Sequence, residues 1–289
     1  MENEKYKELK MGERGVYISI GAYLVLSSLK LIVGFISGSA ALRADGLNNA
    51  TDIVASVAVL IGLKLARKPP DADHPYGHWK AETVASLIAS FIMMTVGLQV
   101  LYTAVLNVFD GSNEAPDMMA AWTGVFGAIV MFIVYRYNMR LGSKINSQSV
   151  QAAAKDNLSD ALVSVGTVVG IVGSQLGLPW LDPLAAIIVG LIICKTAWEI
   201  FTSSSHQLTD GFDETLMVSY TETIMNISGV KGIKTMKARS YGNNAIVDTE
   251  ILVNSTLDIR QAHDVATTVE KTLKREHGVY WVNVHVEPQ

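Results

Sequence analysis

Cysteine is nearly absent from this 289-residue chain, where Cys194 stands alone. One cysteine excludes an intramolecular disulfide and any cysteine-rich metal cluster, and its place in an apolar run reads as a packed thiol. Charge is scarce as well. Asp, Glu, Lys and Arg make up 17% of the residues while 49% are hydrophobic, against about 25% charged residues in soluble domains. That deficit points towards lipid. No basic stripe with interleaved aromatics occurs, which argues against a nucleic-acid partner. No small-residue cleavage site follows a short apolar core after the polar opening MENEKYKELKMGERG, so no removable signal peptide is expected.

Long apolar segments are what the chain has instead. A helix needs about 20 mainly apolar residues to cross a bilayer. Six stretches qualify, at 15–37, 40–65, 83–108, 117–140, 148–176 and 180–204. The third carries no charge between Glu82 and Asp110, whereas the second and fifth have acidic residues well inside them. Lys and Arg set the orientation. Lys5, Lys7, Lys10 and Arg14 precede the first span, Arg67, Lys68 and Lys80 follow the second, and Arg136, Arg140 and Lys144 close the fourth. The loops 109–117 and 175–181 contain neither Lys nor Arg, and Arg43 is the exception on that side. Both termini are therefore expected in the cytosol, with the protein in the cell membrane.

From about residue 207 the pattern changes to an amphipathic helix over 213–226, strands near 231–240 and 245–253 joined by Gly242-Asn243-Asn244, a helix over 258–275 and a strand from Val279 to Val286. The expected fold is an α-helical membrane protein with six transmembrane helices over 1–206. A cytosolic α+β domain over 207–289 follows, in αββαβ order like a ferredoxin or metallochaperone layer.

The acidic residues inside the spans carry the chemistry. The second span reads Asp45-Gly-Leu-Asn48-Asn49 and the fifth Asp156-Asn157-Leu-Ser-Asp160. Oxygen-bearing side chains four residues apart share one helix face, about 6 Å apart along the axis. Two such faces turned together would set Asp45, Asn49, Asp156 and Asp160 around one point. A carboxylate at membrane depth costs at least ~2.5 kcal/mol, so three in one bundle need a cation or protons to neutralise them. The structural alternative is helix capping or a water-filled crevice; Asn48 and Asn157 fit it, Asp182 before Pro183 is expected to cap the sixth helix, and Asp52 is left outside the cluster. Lys30 and Lys195, inside apolar spans, read as snorkelling or as pairing with an acidic neighbour. With oxygen donors and no His or Cys, the set suits Mg²⁺, Ca²⁺ or Mn²⁺ better than Zn²⁺, and Mn²⁺ is the best match.

These motifs, with the loop Asp71-Ala-Asp-His74-Pro-Tyr-Gly-His78-Trp-Lys80-Ala-Glu82, resemble the cation diffusion facilitator family along the whole chain. Asp156 stands where zinc-transporting members have His, and Asn49 where Asp is common, so the chain looks like the manganese-exporting branch. The resemblance implies a homodimer that exports a divalent metal, Mn²⁺ for this branch, from the cytosol in exchange for protons, with no bound cofactor. It implies a second metal site at Asp71, His74 and His78, and a charge pair between Lys80 and Asp210 near the dimer interface. It also implies a tail site at Glu250, His263, His285 and Glu287, with Lys234 on a fifth position that cannot ligate while charged. His206 and His277 match no motif. The alternatives are export of Zn²⁺, Fe²⁺, Co²⁺ or Cd²⁺, a membrane hydrolase, or a metal sensor; no nucleophile–base pair accompanies the aspartates, so an enzyme is not expected.

Overall fold

The computed structural model describes residues 2–66, 68, 71–110, 115–144, 148–241 and 244–289, apart from the side chains of 2–14, 16, 59, 60, 62–64, 66, 82, 109, 110 and 148–153. Six long helices come first: α1 (Glu2–Ile36), α2 (Ala40–Ala66), α3 (Ala81–Asp110), α4 (Met118–Lys144), α5 (Gln148–Gln175) and α6 (Leu181–Leu208). Five of them are long and apolar enough to cross a membrane, and α2 is the sixth, of similar length but with Asp45, Asn48, Asn49 and Asp52 in its first half. The helices overrun the apolar stretches at several ends, most at α1, because backbone hydrogen bonding propagates into polar sequence once a helix exists.

The chain forms two compact units, Met1–Ala58 with Ile88–Glu199, and Val59–Leu87 with Ile200–Gln289. In the first, Val33 of α1, Leu42 of α2, Ala120 and Ala121 of α4 and Ile171 of α5 form one buried cluster, and Tyr23, Leu26, Met131 and Ala161 another. A third cluster joins α2, α3 and α6 through Ala40, Ala44, Val100, Ala104, Ala186, Val189 and Ile193. Alanine makes up most of the third cluster, as expected where helices associate by close packing rather than by escape from water. Large apolar side chains such as Phe35, Phe91, Trp122 and Trp198 are exposed, which marks a lipid-facing surface.

Asp182 corrects one expectation. Helix α6 already begins at Leu181, so Asp182 lies within its first turn rather than capping it. Its carboxylate accepts hydrogen bonds from Ser39 Oγ at 2.6 Å, Ala40 N at 2.7 Å and Ala41 N at 3.4 Å. It therefore caps the open N–H groups of α2.

The second unit ends in α7 (Glu214–Met225), β1 (Gly232–Tyr241), β2 (Asn244–Val253), α8 (Ile259–His277) and β3 (Trp281–Pro288). This is the expected αββαβ order; Gly242 and Asn243 of the expected turn lie outside the described residues. Strand β1 pairs antiparallel with β2, and β3 pairs parallel with β2, placing β2 in the centre. Helix α8 opens on a capping box between Asp258 and Gln261. It closes on Gly278 at φ 66°, a left-handed position that suits glycine, and this cap delays β3 by two residues relative to the apolar run. Tyr220, Ile224, Val247, Ile251, Val269, Leu273 and Val282 form the core.

Candidate metal centre

The interior of the first unit is polar along one stripe of α1. Ser19, Tyr23, Ser27 and Lys30 recur at helical spacing, and all four are buried. The Lys30 side chain is fully buried. Its ammonium donates to Asp45 Oδ1 at 2.9 Å, Asn49 Oδ1 at 2.7 Å and Ser164 Oγ at 2.9 Å. Ser164 in turn donates to the Asp160 backbone carbonyl at 3.0 Å. Asp45 and Asn49 are fully buried too, and among the described residues Asp45 Oδ2 and Asn49 Nδ2 have no hydrogen-bond partner.

Asp160 stands with different partners. Its carboxylate accepts from Tyr23 Oη at 2.8 Å and from Asn48 Nδ2 at 3.0 Å. Asn48 Nδ2 also reaches Asp52 Oδ2 at 3.5 Å, so Asp52, set aside in the sequence reading, adjoins the Asp160 group. Further along, Ser19 Oγ donates to Asn157 Oδ1 at 3.1 Å and accepts from Asn138 Nδ2 at 2.9 Å. Asn157 thus belongs to a buried polar contact between helices rather than to a cap. Asp156 is exposed.

The structure brings Asp45 and Asn49 together and sets Asp160 with Tyr23 and Asn48. Among the described residues, the carboxylates of Asp45, Asp156 and Asp160 do not converge as a ready ligand group. The reason is local: Lys30 engages Asp45, while Tyr23 and Asn48 engage Asp160. Lys30, whose sequence position allowed snorkelling or pairing with an acidic neighbour, does the second, and does so at the candidate ligands themselves. The available signal was its place on the Ser19–Tyr23–Ser27–Lys30 stripe, which no lipid-facing lysine would share.

The loop before α3 is gathered. Asp71, His74 and His78 place one ligand atom each within 4.8 Å of one another. Asp71 Oδ1 accepts from His74 N at 2.7 Å and lies 3.1 Å from His74 Nδ1, and Asp71 Oδ2 lies 3.4 Å from His78 Nε2. The backbone N–H of His74 is the main cause that holds the Asp71 carboxyl below its ordinary range. Lys80 Nζ donates to Asp210 Oδ1 at 2.9 Å, the contact the resemblance implies, and Asp210 holds a left-handed backbone at φ 61°.

In the tail, Lys234 Nζ lies 2.8 Å and 2.7 Å from the two oxygens of Glu287 and 3.7 Å from Glu250 Oε2. His285 Nε2 is 3.8 Å from Glu287 Oε1, and Glu250 and His285 are partners across β2 and β3. Two of the four tail candidates, Glu250 and Glu287, therefore engage a lysine, and His285 adjoins Glu287. His263 lies on α8, with Nε2 at 3.4 Å from Thr267 Oγ1. The hydrogen bond to Glu287 is the main cause that raises the Lys234 pKa, and its counterpart lowers that of Glu287.

Residues 16–209 match the family described as the cation efflux transmembrane domain, and residues 213–289 the cytoplasmic domain of cation efflux proteins. The chain is 56% identical over 285 residues to the manganese efflux system protein MneS of Bacillus subtilis, covering 99% of this chain and 98% of that one. It is 50% identical to the uncharacterized transporter YdbO of the same organism, again over 99% and 98%. Identity to the manganese efflux system protein MneP of that bacterium is 32%, covering 94% of each chain.

Proposed function

The chain belongs to the cation efflux, or cation diffusion facilitator, family of multi-pass membrane metal transporters, and on that premise we propose that it exports Mn²⁺ from the cytosol in exchange for protons. The observation that carries this reading is the oxygen-only cradle of Asp45, Asn49 and Ser164, in which a cation, the Lys30 ammonium, already stands. Oxygen donors without imidazole or thiolate suit manganese. The relatives MneS and MneP are named manganese efflux system proteins, which agrees with that choice.

Asp156, Asp160 and Ser164 follow one another on one face of α5, about 6 Å apart per step along the axis. They form a ladder of oxygen donors from the end of α5 assigned to the cytosol. Metal taken up at Asp156 reaches Asp160 and then the Asp45–Asn49 pair, and protons from the far side replace it. In this reading Asp45, Asn49, Asp156 and Asp160 are ligands, and the carboxylates that Lys30 does not engage, Asp156 and Asp160, are also proton carriers. Asp71, His74 and His78 hold a second divalent ion, whose imidazoles suit zinc as well as manganese. The tail, with Lys80 and Asp210, serves assembly into a homodimer.

The test is transport by the purified protein in proteoliposomes across Mn²⁺, Zn²⁺, Fe²⁺, Co²⁺ and Cd²⁺. Mn²⁺ is expected to drive the largest proton flux, and Asp160→Ala to abolish it. Mn²⁺-driven proton flux that persists in Asp160→Ala overturns the assignment, and a larger flux with another ion of the panel overturns manganese. Asp156→His is expected to raise Zn²⁺ transport relative to Mn²⁺.

A further inference from the structure

The geometry points to Lys30 as a tethered cation that occupies the transport position whenever a divalent metal does not, and so sets how tightly the metal is held and how readily it leaves. The inference rests on the transport-site reading of Asp45 and Asn49 given above.

An ammonium has three N–H donors, and those of Lys30 have three acceptors, on α2 and α5. The charge does not snorkel, because the whole side chain is buried. Two of its three acceptors, Asp45 Oδ1 and Asn49 Oδ1, are oxygens the metal would need. A dehydrated divalent ion and an ammonium cannot both sit at hydrogen-bond or coordination distance from the same two oxygens; like charges at that separation repel strongly in a low-dielectric interior. Metal binding at Asp45 and Asn49 therefore displaces Lys30.

The fold makes room for this side chain in particular. A methyl group on Gly127 of α4 would lie 2.6 Å from Lys30 Cε and 3.2 Å from its Nζ, and one on Gly46 would lie 3.1 Å from Lys30 Cβ. Two glycines thus leave the channel through which the stem reaches the oxygens. A lysine needed only for stability has no call on that site: apolar residues often replace buried ion pairs at no loss of stability. A cation that shares the cargo's ligands does have one. It lets a divalent ion prevail over a monovalent one, which gains no charge advantage on exchange. It also refills the position once the metal has left, so the metal does not rebind.

The test compares Mn²⁺ binding to the purified full chain by calorimetry, and Mn²⁺ transport in proteoliposomes, for the parent protein, Lys30→Met and Gly127→Ala. Lys30→Met is expected to bind Mn²⁺ about tenfold or more tightly, with a lower KM and a lower maximal rate. Gly127→Ala keeps the charge but pushes the ammonium off its oxygens, and is expected to move affinity in the same direction by a smaller factor. Damage to the fold would weaken binding, so a gain separates this role from a structural one. Folded Lys30→Met with unchanged or weaker affinity overturns the inference. Where Lys30→Met does not fold, unchanged or weaker affinity in Gly127→Ala overturns it. Failure of the parent protein to bind Mn²⁺ in an Asp45-dependent way is a different result: it removes the transport-site reading itself, and the role of Lys30 with it.

Discussion

At the scale of single residues, the interior of the bundle is governed by which donor meets which carboxylate. Asp45 and Lys30 are both fully buried and 2.9 Å apart. Removing one partner of such a pair leaves an uncompensated charge, at a cost of roughly 3–5 kcal/mol. Asp45→Asn is therefore expected to lower thermal stability sharply and to abolish transport. The double variant with Lys30→Met is expected to recover most of the stability and none of the transport, which a melting curve and a flux assay on the same preparations would check. The acidic residues themselves were legible in the sequence, because carboxylates inside apolar spans are conspicuous. Their partners were not. Lys30 is separated by 134 positions from Ser164, and Tyr23 by 137 from Asp160, and no local pattern joins residues so far apart.

At the scale of elements, the six long helices and the αββαβ tail were readable from apolar length and from the change of period near residue 207. Cap partners were not readable, since a cap depends on what another helix brings to the terminus. Asp182→Ala removes three acceptor contacts at the start of α2; it is expected to cost roughly 1–2 kcal/mol, seen as a lower melting temperature. In the tail, Lys234 and Glu287 hold each other across strands. The Glu287 pKa is lowered, so its contribution to stability is complete above the unfolded-state value and is lost only as pH falls through the lower, folded value. The Lys234 pKa is raised, so its contribution is complete below the unfolded-state value and is lost as pH rises through the higher, folded one. Lys234→Ala is expected to return the Glu287 pKa towards the ordinary range, followed by carboxyl NMR on the full chain. It is also expected to free Glu250, His285 and Glu287 for a metal ion, read as Mn²⁺- or Zn²⁺-dependent stabilisation that the parent protein lacks. Absence of both changes would show that Lys234 does not hold that cluster.

For the whole molecule, the family matches run through both the membrane part and the tail, and the Lys80–Asp210 contact lies within the second unit. If that pair supports dimer assembly, Lys80→Asp opposes two carboxylates and is expected to shift the protein towards monomer, whereas Lys80→Asp with Asp210→Lys is expected to restore it. Light scattering in detergent would read both, and a dimer unaffected by the single change would remove the pair from assembly. Opposite charges at these two positions could be read from the sequence as part of a family pattern; that they meet at 2.9 Å could only be seen in three dimensions.

The Asp182 cap has a mechanical meaning beyond its energy. One carboxylate grips the first turn of α2 while belonging to α6, so the segment that carries Asp45 and Asn49 is moored at one end to a neighbouring helix. A rod held at its tip pivots there, and its displacement grows with distance from the mooring. Asp45 lies within two turns of that point and Asp52 about two turns beyond it. The same tilt would thus barely shift the inner oxygens while swinging the approach to them open or shut.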